Sequence, residues 1–214
     1  MNELPILFFD HPLPDVYRDL VDGRALAVGP DDADLATAQA VLAGAKRAWN
    51  ADAFALGPAL KVISRIGIGY DNVDVPAAAA AGVIVCNAPE APSVSTAEHA
   101  LMLLLAVVKN LPAQQQRARQ GLPGATTGEA LELDGTVLGL VGFGRIARRV
   151  AAAGRALGMK VLAYDPFVTE AQDCELVDLG RVFAESDVIS LHAPAMATTR
   201  HMINAESLAM TKRG

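Results

Sequence analysis

The stretch Val137-Leu138-Gly139-Leu140-Val141-Gly142-Phe143-Gly144-Arg145-Ile146-Ala147 decides the fold of the C-terminal half of the chain. It predicts a buried strand that leads into the spacing G-x-G-x-x-A, which is typical of a dinucleotide-binding turn. In such a turn Gly142 allows a tight bend, Gly144 lets a pyrophosphate approach the backbone, and Ala147 keeps the next helix close to the strand. We therefore expect phosphate groups at the N-terminus of that helix.

The residues after the glycine motif strengthen this interpretation. Four apolar residues are predicted to share one face of the helix, namely Ile146, Val150, Ala153 and Leu157. Gly158 stands at a C-terminal cap position, and residues 160–164 predict a second strand that ends at Asp165. An acidic residue at this place accepts hydrogen bonds from the ribose hydroxyls of adenosine. The alternative is a tight turn with a solvated aspartate at the strand end.

Asp165 also bears on the choice of cofactor. Its carboxylate repels a 2′-phosphate, and residues 166–167 supply no arginine to hold one, so the sequence predicts NAD rather than NADP. A third strand is predicted at residues 187–191. Because ligands of such sheets bind beyond the carboxyl ends of the strands, we expect residues 192–194 near the cofactor.

Composition excludes several other classes of protein. The 214 residues include 18 Lys and Arg against 24 Asp and Glu, a formal net charge of −6, which argues against a nucleic-acid binder that tracks phosphates. The most apolar run, residues 100–108, is far shorter than the roughly 20 residues that cross a bilayer. Residues 1–5 show no secretory pattern, so we expect a cytoplasmic protein. Cys86 and Cys174 lack metal-ligand spacing, so we expect two buried free thiols and no metal site.

The N-terminal half alternates short aliphatic strands with helices, which predicts a parallel sheet covered on both faces. Strands are expected at residues 6–9, 25–28, 48–49, 61–64 and 83–86. Helices are expected at residues 34–45 and 75–81, the second ended by Gly82.

A longer helix is predicted in the middle of the chain. The sequence Ser95-Thr96-Ala97-Glu98 has the spacing of a capping box, in which Ser95 caps the helix. This helix should run to about Asn110, before Pro112. Residues 121–128 are rich in glycine, proline and threonine and predict a loop at a domain boundary.

Taken together, these stretches resemble the NAD-dependent D-2-hydroxyacid dehydrogenases, the family that includes D-3-phosphoglycerate dehydrogenase. The resemblance covers nearly the whole chain. Besides the glycine motif, the matching stretches are residues 64–74, 87–89, 95–99, 164–166 and 186–194. Jointly they are specific, whereas the glycine motif alone would not be.

The resemblance implies an α/β fold in which a flavodoxin-like substrate domain is followed by a Rossmann dinucleotide-binding domain, with the active site in the cleft. Residues 1–95 would form the N-terminal part of the substrate domain, residues 96–120 an interdomain helix and linker, and residues 121–214 the first half of the NAD-binding domain. The long helix matches an element that often packs in a homodimer of the family. A homodimer is therefore expected.

The resemblance also implies roles for individual residues. The amides of Gly67, Ile68 and Gly69 would bind the substrate carboxylate, as glycines let a loop expose its amides to an anion. Arg65 would add a positive charge there, or alternatively form a surface salt bridge. The implied cofactor-binding residues are Thr96, Gly142, Gly144, Arg145, Ile146, Asp165, Ala193, Pro194 and Thr199.

The family's catalytic arginine, glutamate and histidine are expected after Gly214. A helix at residues 205–212, capped by Asn204, would lead to the next strand. We expect the sheet without that strand to leave the strand at Val137 unpaired on one side, and hence the chain to be part of a longer enzyme. His192 is a weaker candidate for the catalytic base than for a polar residue that lines the cofactor site.

The function implied is an oxidoreductase that transfers a hydride between NAD and C2 of a small 2-hydroxy or 2-oxo acid. The alternative is an NAD(H)-binding regulatory module or a non-catalytic fragment of that family. The sequence leaves the identity of the acid open, with formate the least favoured substrate.

Overall fold

The computed structural model describes residues 4–122 and 130–213. The chain divides into two compact units, Met1–Pro92 and Ser93–Gly214. Most of the predicted boundary loop, residues 123–128, lies outside the described residues. The assignment of the first unit to substrate and of the second to cofactor stays a prediction.

The first unit contains one five-stranded parallel sheet. Its strands are β1 (Ile6–Phe9), β2 (Leu26–Val28), β3 (Ala40–Ala43), β4 (Val62–Arg65) and β5 (Ile84–Cys86). The order across the sheet is β2-β1-β3-β4-β5, and every pair is parallel. This is the flavodoxin-like order, which confirms the predicted fold class.

Short helices and an aromatic cluster complete the first unit. The helices are α1 (Arg18–Val21), α2 (Ala51–Ala55) and α3 (Val75–Ala80), with 3₁₀ segments at Asp15–Tyr17 and Asp32–Thr37. Trp49 is fully buried, and its ring lies 6.2 Å from that of Phe8 in an edge-to-face arrangement. Asp74 caps α3, since its side chain accepts a hydrogen bond from the amide of Ala77, and Gly82 follows the helix with a φ of +72°.

Two predictions for this unit are wrong. Residues 34–45 do not form one continuous helix, because the 3₁₀ segment ends at Thr37 and β3 follows, where it pairs with both β1 and β4. Residues 48–49 do not form a strand of the sheet, since Trp49 makes only an isolated bridge with Val73. An alanine-rich segment carries no decisive apolar period, so the contacts across the sheet determine its conformation.

The second unit contains a four-stranded parallel sheet. Its strands are β6 (Val137–Val141), β7 (Lys160–Tyr164), β8 (Glu175–Leu176) and β9 (Val188–Leu191), in the order β8-β7-β6-β9. This order corresponds to the strands 3-2-1-4 of the Rossmann fold. The two-residue strand β8 was not predicted. The expectation that the strand at Val137 has one unpaired side is wrong, because β9 crosses over and pairs with β6 opposite β7.

Five helices lie in the described part of the second unit, residues 93–122 and 130–213. They are α4 (Ser93–Val108), α5 (Leu111–Arg119), α6 (Arg145–Ala156), α7 (Leu179–Glu185) and α8 (Ala205–Ala209). The capping box predicted Ser95 as the cap of α4. This prediction is wrong, because α4 begins at Ser93 and Ser95 lies inside the helix. Pro112 stands in the first turn of α5, where its missing N–H costs no helical hydrogen bond. Asn204 caps α8 as expected, but this helix ends at Ala209.

Helix α6 packs on β6 and α4 through small residues. Its buried positions are Ala147, Val150, Ala151 and Gly154. The predicted face is therefore rotated, since Leu157 is 41% exposed. A Cβ on Gly154 would lie 2.7 Å from the Cδ2 atom of Leu138 in β6, so the absence of a side chain permits this close contact.

Two smaller expectations can also be compared with the structure. Cys86 is exposed and Cys174 half-buried, so the prediction of two buried thiols is wrong. Within residues 4–122 and 130–213, no single helix has the length and apolar composition to cross a membrane. Only α4 and α5 taken together, bent by 66° at their junction, meet that requirement.

Substitution of Gly154 tests the packing of α6. We expect Gly154→Val to lower the free energy of unfolding by about 2 kcal/mol, because the added carbons overlap Leu138 in a filled core. Ala152→Val, at an exposed position of the same helix, is the matched control. Urea denaturation measures both, and equal losses in the two variants would contradict the packing.

Candidate functional site

The turn between β6 and α6 requires glycine at its first position. Gly142 has a φ of +88°, a region that L side chains rarely adopt. A Cβ there would lie 2.8 Å from the backbone nitrogen of Ala193 and 2.8 Å from the carbonyl carbon of His192. The bend of the turn and the approach of the chain after β9 therefore both depend on Gly142.

Gly144 meets a different requirement. It is the N-cap residue of α6, and a Cβ on it would meet no atom within 4 Å. A helix N-terminus has amides without partners inside the helix and a partial positive charge. Arg145 and Ile146 are the first two residues of α6, so their amides lie where the sequence predicts phosphate binding. The open space beside Gly144 fits the approach of an anion.

Asp165 connects the end of β7 to this turn. Its Oδ2 atom accepts a hydrogen bond of 2.8 Å from the amide of Phe143, and its Oδ1 atom accepts one of 2.9 Å from the amide of Phe167. The side chain is half-buried, so the alternative of a merely solvated aspartate does not describe it. Each carboxylate oxygen has a second lone pair, so further donors can bind. Binding of ribose hydroxyls stays a prediction.

A cavity of about 830 Å³ lies over the glycine turn, within the second unit. Six of the nine predicted cofactor residues line it, namely Gly142, Gly144, Asp165, Ala193, Pro194 and Thr199. Arg145 and Ile146 flank it at the start of α6. Thr96 is an exposed residue of α4 and does not belong to the cavity wall. No sequence pattern indicated that three methionines, Met196, Met202 and Met210, also line the cavity.

Thr199 fixes the segment after β9. Its hydroxyl lies 2.6 Å from the carbonyl oxygen of Pro194, to which it donates, and accepts a hydrogen bond of 2.9 Å from the amide of Met196. These bonds close a compact turn at the cavity wall. Thr199 therefore has a structural role in addition to the cofactor contact that the resemblance implies.

His192 lines the same cavity. Its Nε2 atom lies 3.0 Å from the hydroxyl oxygen of Ser190. Burial lowers the pKa of His192, so the neutral form is favoured. Its hydrogen-bond partner is a hydroxyl rather than a carboxylate, which agrees with the preferred interpretation of a polar wall residue.

The first unit contains a second arrangement, at the loop of residues 67–69. Arg65 is only 7% exposed, so the alternative of a surface salt bridge is wrong. Its Nε atom donates to the carbonyl oxygen of Gly69 at 3.0 Å, and its Nη1 atom donates to that of Ala43 at 3.0 Å. The guanidinium thus holds a positive charge beside the loop.

The carbonyl oxygens of this loop are all hydrogen-bonded. Besides the bond from Arg65 to Gly69, the carbonyl of Gly67 accepts from the amide of Ala88 at 3.1 Å, and that of Ile68 accepts from the side chain of Asn87 at 2.9 Å. Among the described residues, no acceptor takes the amides of residues 67–69. A loop with satisfied carbonyls and available amides fits an anion such as a carboxylate.

Sequence reasoning missed the role of Asn87. The residue belongs to one of the stretches that carry the resemblance, yet its pattern gives no sign of a bond to Ile68. The sequence carries no signal for this hydrogen bond, because the two residues are distant in sequence and meet only at the ends of β4 and β5.

Within the described part of the chain, no group of three His, Cys, Asp or Glu could hold a metal ion.

Comparisons with known proteins extend these observations. The model of a family described as "D-isomer specific 2-hydroxyacid dehydrogenase, NAD binding domain" matches residues 101–214. The chain is 40% identical over 194 residues to D-3-phosphoglycerate dehydrogenase of Mycobacterium tuberculosis, covering 87% of this chain and 37% of that protein. It is 44% identical over 166 residues to hydroxypyruvate reductase of Thermotoga maritima, covering 77% and 54% respectively. The chain thus spans between 37% and 54% of the length of these two relatives.

A solved structure is also similar. It is the crystal structure of D-lactate dehydrogenase from Aquifex aeolicus complexed with NAD and lactic acid, with a TM-score of 0.87 and 32% sequence identity. The match covers 98% of this chain and 66% of that one.

The burial of His192 generates a prediction about pH. Because its folded-state pKa lies below the ordinary value of 6.5, the unfolded chain binds more protons between those two values. The free energy of unfolding should therefore fall as the pH drops below about 6.5. We expect His192→Gln, which removes the titrating group, to lose less stability over this range. Urea denaturation at a series of pH values measures the difference, and parallel profiles for the two proteins would contradict it.

Proposed function

Because the chain belongs to the D-isomer-specific 2-hydroxyacid dehydrogenase family, we propose that the protein transfers a hydride between NAD and C2 of a small 2-hydroxy or 2-oxo acid. In the oxidative direction the C2 hydride goes to NAD⁺ and the hydroxyl proton to a base, which leaves a 2-oxo acid and NADH. The observation that carries the proposal is the 830 Å³ cavity over the glycine turn, with six predicted cofactor residues in its wall.

The residues present fit a dinucleotide. Because Gly142 has no side chain, the chain after β9 lies directly against the turn. The open space beside Gly144 leaves the N-terminus of α6 accessible to phosphate. Arg145 and Ile146 would offer their amides to the pyrophosphate. When bound, NAD supplies the hydride acceptor or donor, while the protein positions it and excludes water.

The choice of NAD over NADP rests on Asp165. The amides of Phe143 and Phe167 hold its carboxylate at the end of β7, in the cavity wall. A fixed negative charge there binds ribose hydroxyls and repels a 2′-phosphate. Asp165 is therefore proposed as the residue that selects the cofactor.

The loop of residues 67–69 is proposed to bind the carboxylate of the substrate. Its amides are available as donors, and the buried guanidinium of Arg65 adds positive charge beside them. Hydrogen bonds between backbone amides and an ionised acceptor are stronger than those between neutral groups. Every 2-hydroxy acid carries this carboxylate, so the loop serves the whole substrate class.

We also propose a homodimer and a cytoplasmic location. Helix α4 has exposed apolar residues, among which Met102 is 51% exposed, Leu103 49% and Val107 76%. An apolar helix face of this kind is suited to burial against a second copy of the chain. The cytoplasmic location agrees with free thiols at Cys86 and Cys174.

The reaction is tested with the full-length native protein, by following nicotinamide absorbance with a panel of 2-oxo acids. We expect oxidation of NADH, and Asp165→Ala should lower the preference for NADH over NADPH by about tenfold or more, as the repelling charge is lost. The preference is measured as the ratio of kcat/KM with NADH to kcat/KM with NADPH, and a general effect on folding changes both values equally. Asp173→Ala removes a surface aspartate paired with Arg155 and is the matched control. Binding of NADH without turnover of any acid would favour a regulatory module instead.

The dimer is tested by sedimentation of two variants. We expect Val107→Glu to shift the protein toward monomer, because a charge on the apolar face of α4 opposes burial. Val16→Glu, in the first unit, changes a residue that is 74% exposed and serves as control. A dimer that persists in Val107→Glu, or a wild-type monomer, would contradict the proposed interface.

A further inference from the structure

Methionines are concentrated in the wall of the cavity over the glycine turn. The chain has six methionines, and three of them line this cavity, namely Met196, Met202 and Met210. Met196 lies in the turn that Thr199 closes, the amide of Met202 donates to the carbonyl oxygen of Thr199, and Met210 follows the last residue of α8. We call these three residues the methionine wall. Nothing in the proposed function explains why thioether side chains occupy these positions.

The methionine wall is accessible from solvent. Met196 and Met210 are each 45% exposed, and Met202 is half-buried. Met159, by contrast, is only 4% exposed and belongs to the core of the second unit. The sulfur of a methionine is the atom that oxidants attack, and a small oxidant in solution reaches an exposed thioether more readily than a buried one.

Two hydroxyls in the same cavity wall already donate their protons to backbone carbonyls. That of Thr199 donates to the carbonyl oxygen of Pro194 at 2.6 Å, and that of Ser207 donates to the carbonyl oxygen of Asn204 at 3.1 Å. A hydroxyl has one proton to donate, so neither group is available to a new acceptor in the cavity.

The charges of the cavity wall also disfavour an additional acceptor. Asp165 and Glu206 line the cavity, whereas no lysine or arginine does so among the residues that the structure describes. Oxidation converts the apolar thioether into a sulfoxide, whose polar oxygen accepts hydrogen bonds. Without a cation or a free hydroxyl beside it, this oxygen depends on water for its hydrogen bonds.

We propose that the methionine wall is an oxidative modification site, at which conversion of the thioethers to sulfoxides weakens the binding of NAD(H) and bound NAD(H) protects them from oxidation. The proposal rests on the proposed function, since it takes the cavity as the site of the dinucleotide. The oxidant is a peroxide. The sulfur lone pair attacks one oxygen of hydrogen peroxide and the O–O bond breaks. The second oxygen leaves with both protons as water, so that the sulfur loses two electrons and the peroxide gains two.

Oxidation changes the contact that the wall offers to an aromatic base. A thioether sulfur packs favourably against an aromatic ring, and Phe183 and Pro194 continue the apolar surface beside the methionines. A sulfoxide in the same place holds water, and a base that packs on it removes that water without replacing its hydrogen bond. The affinity for the dinucleotide therefore falls. In the reverse direction, a bound dinucleotide covers the sulfur atoms and keeps peroxide away from them.

The first experiment measures protection. The full-length native protein, with Cys86→Ser and Cys174→Ser to remove the thiols that peroxide would also oxidise, is treated with hydrogen peroxide, and the sulfoxide at each methionine is followed by peptide mass spectrometry. At ten times its Kd, NAD⁺ should slow oxidation of Met196 and Met210 about tenfold. Met102, which is 51% exposed on α4, should react at the same rate with and without NAD⁺. Equal rates at the methionine wall in the two conditions would overturn the proposal.

The second experiment measures affinity. The Kd for NADH, followed by its fluorescence, is determined for each protein before peroxide treatment and after removal of the peroxide. We expect oxidation to raise the Kd about tenfold. When Met196→Leu, Met202→Leu and Met210→Leu are combined, the ratio of the two Kd values should be close to one, because leucine is apolar and is not oxidised. Met102→Leu is the matched control and should keep the tenfold ratio. Methionine sulfoxide reductases of both epimer specificities should restore the Kd of the oxidised protein.

The outcomes separate this inference from the proposed function. If the untreated protein does not bind NADH, the proposed function and the inference fail together. If it binds NADH and the Kd stays unchanged although the methionine wall carries sulfoxides, the inference fails alone. An equal rise of the Kd in the triple leucine variant would assign the loss to damage elsewhere in the protein, which also contradicts the inference.

Discussion

The close approach of two backbone segments at Gly142 is the constraint on which the second unit depends. The chain after β9 passes so near the glycine turn that even a methyl group on Gly142 would overlap the backbone of residues 192–193. This contact sets where β9 ends relative to β6, and with it the wall of the cavity. Asp165 adds a second connection from β7 through the amide of Phe143. Three strand ends are thereby held together around the N-terminus of α6, where the helix dipole favours an anion.

The two candidate anion sites use backbone amides in different ways. In the second unit the amides belong to a helix N-terminus, where the helix itself leaves them without partners. In the first unit the loop of residues 67–69 achieves the same result by bonding its carbonyls to Arg65, Asn87 and the amide of Ala88. In both cases the amide donors are held in position before an anion binds. This reduces the free-energy cost of ordering them on binding.

The sequence predicted the parts that depend on local backbone requirements and missed those that depend on distant contacts. A positive φ and a close approach require glycine at defined positions, so the turn at Gly142 and the cap at Gly82 were predictable. The strand Ala40–Ala43 was not, because alanines carry little periodic information and its two neighbouring strands determine its conformation. The burial of Arg65 and the bond from Asn87 to Ile68 also arise only once the strands are paired.

The most direct test of the account is to map the amide resonances that NAD perturbs in the isotopically labelled protein. We expect the largest shifts at the glycine turn, at Arg145 and Ile146, at Asp165, and along residues 193–199. The adenosine 2′-phosphate of NADP should reduce these shifts at equal concentration, because Asp165 repels it. Shifts of similar size for both nucleotides, or shifts outside the cavity wall and the first turn of α6, would contradict the placement of the dinucleotide on this turn.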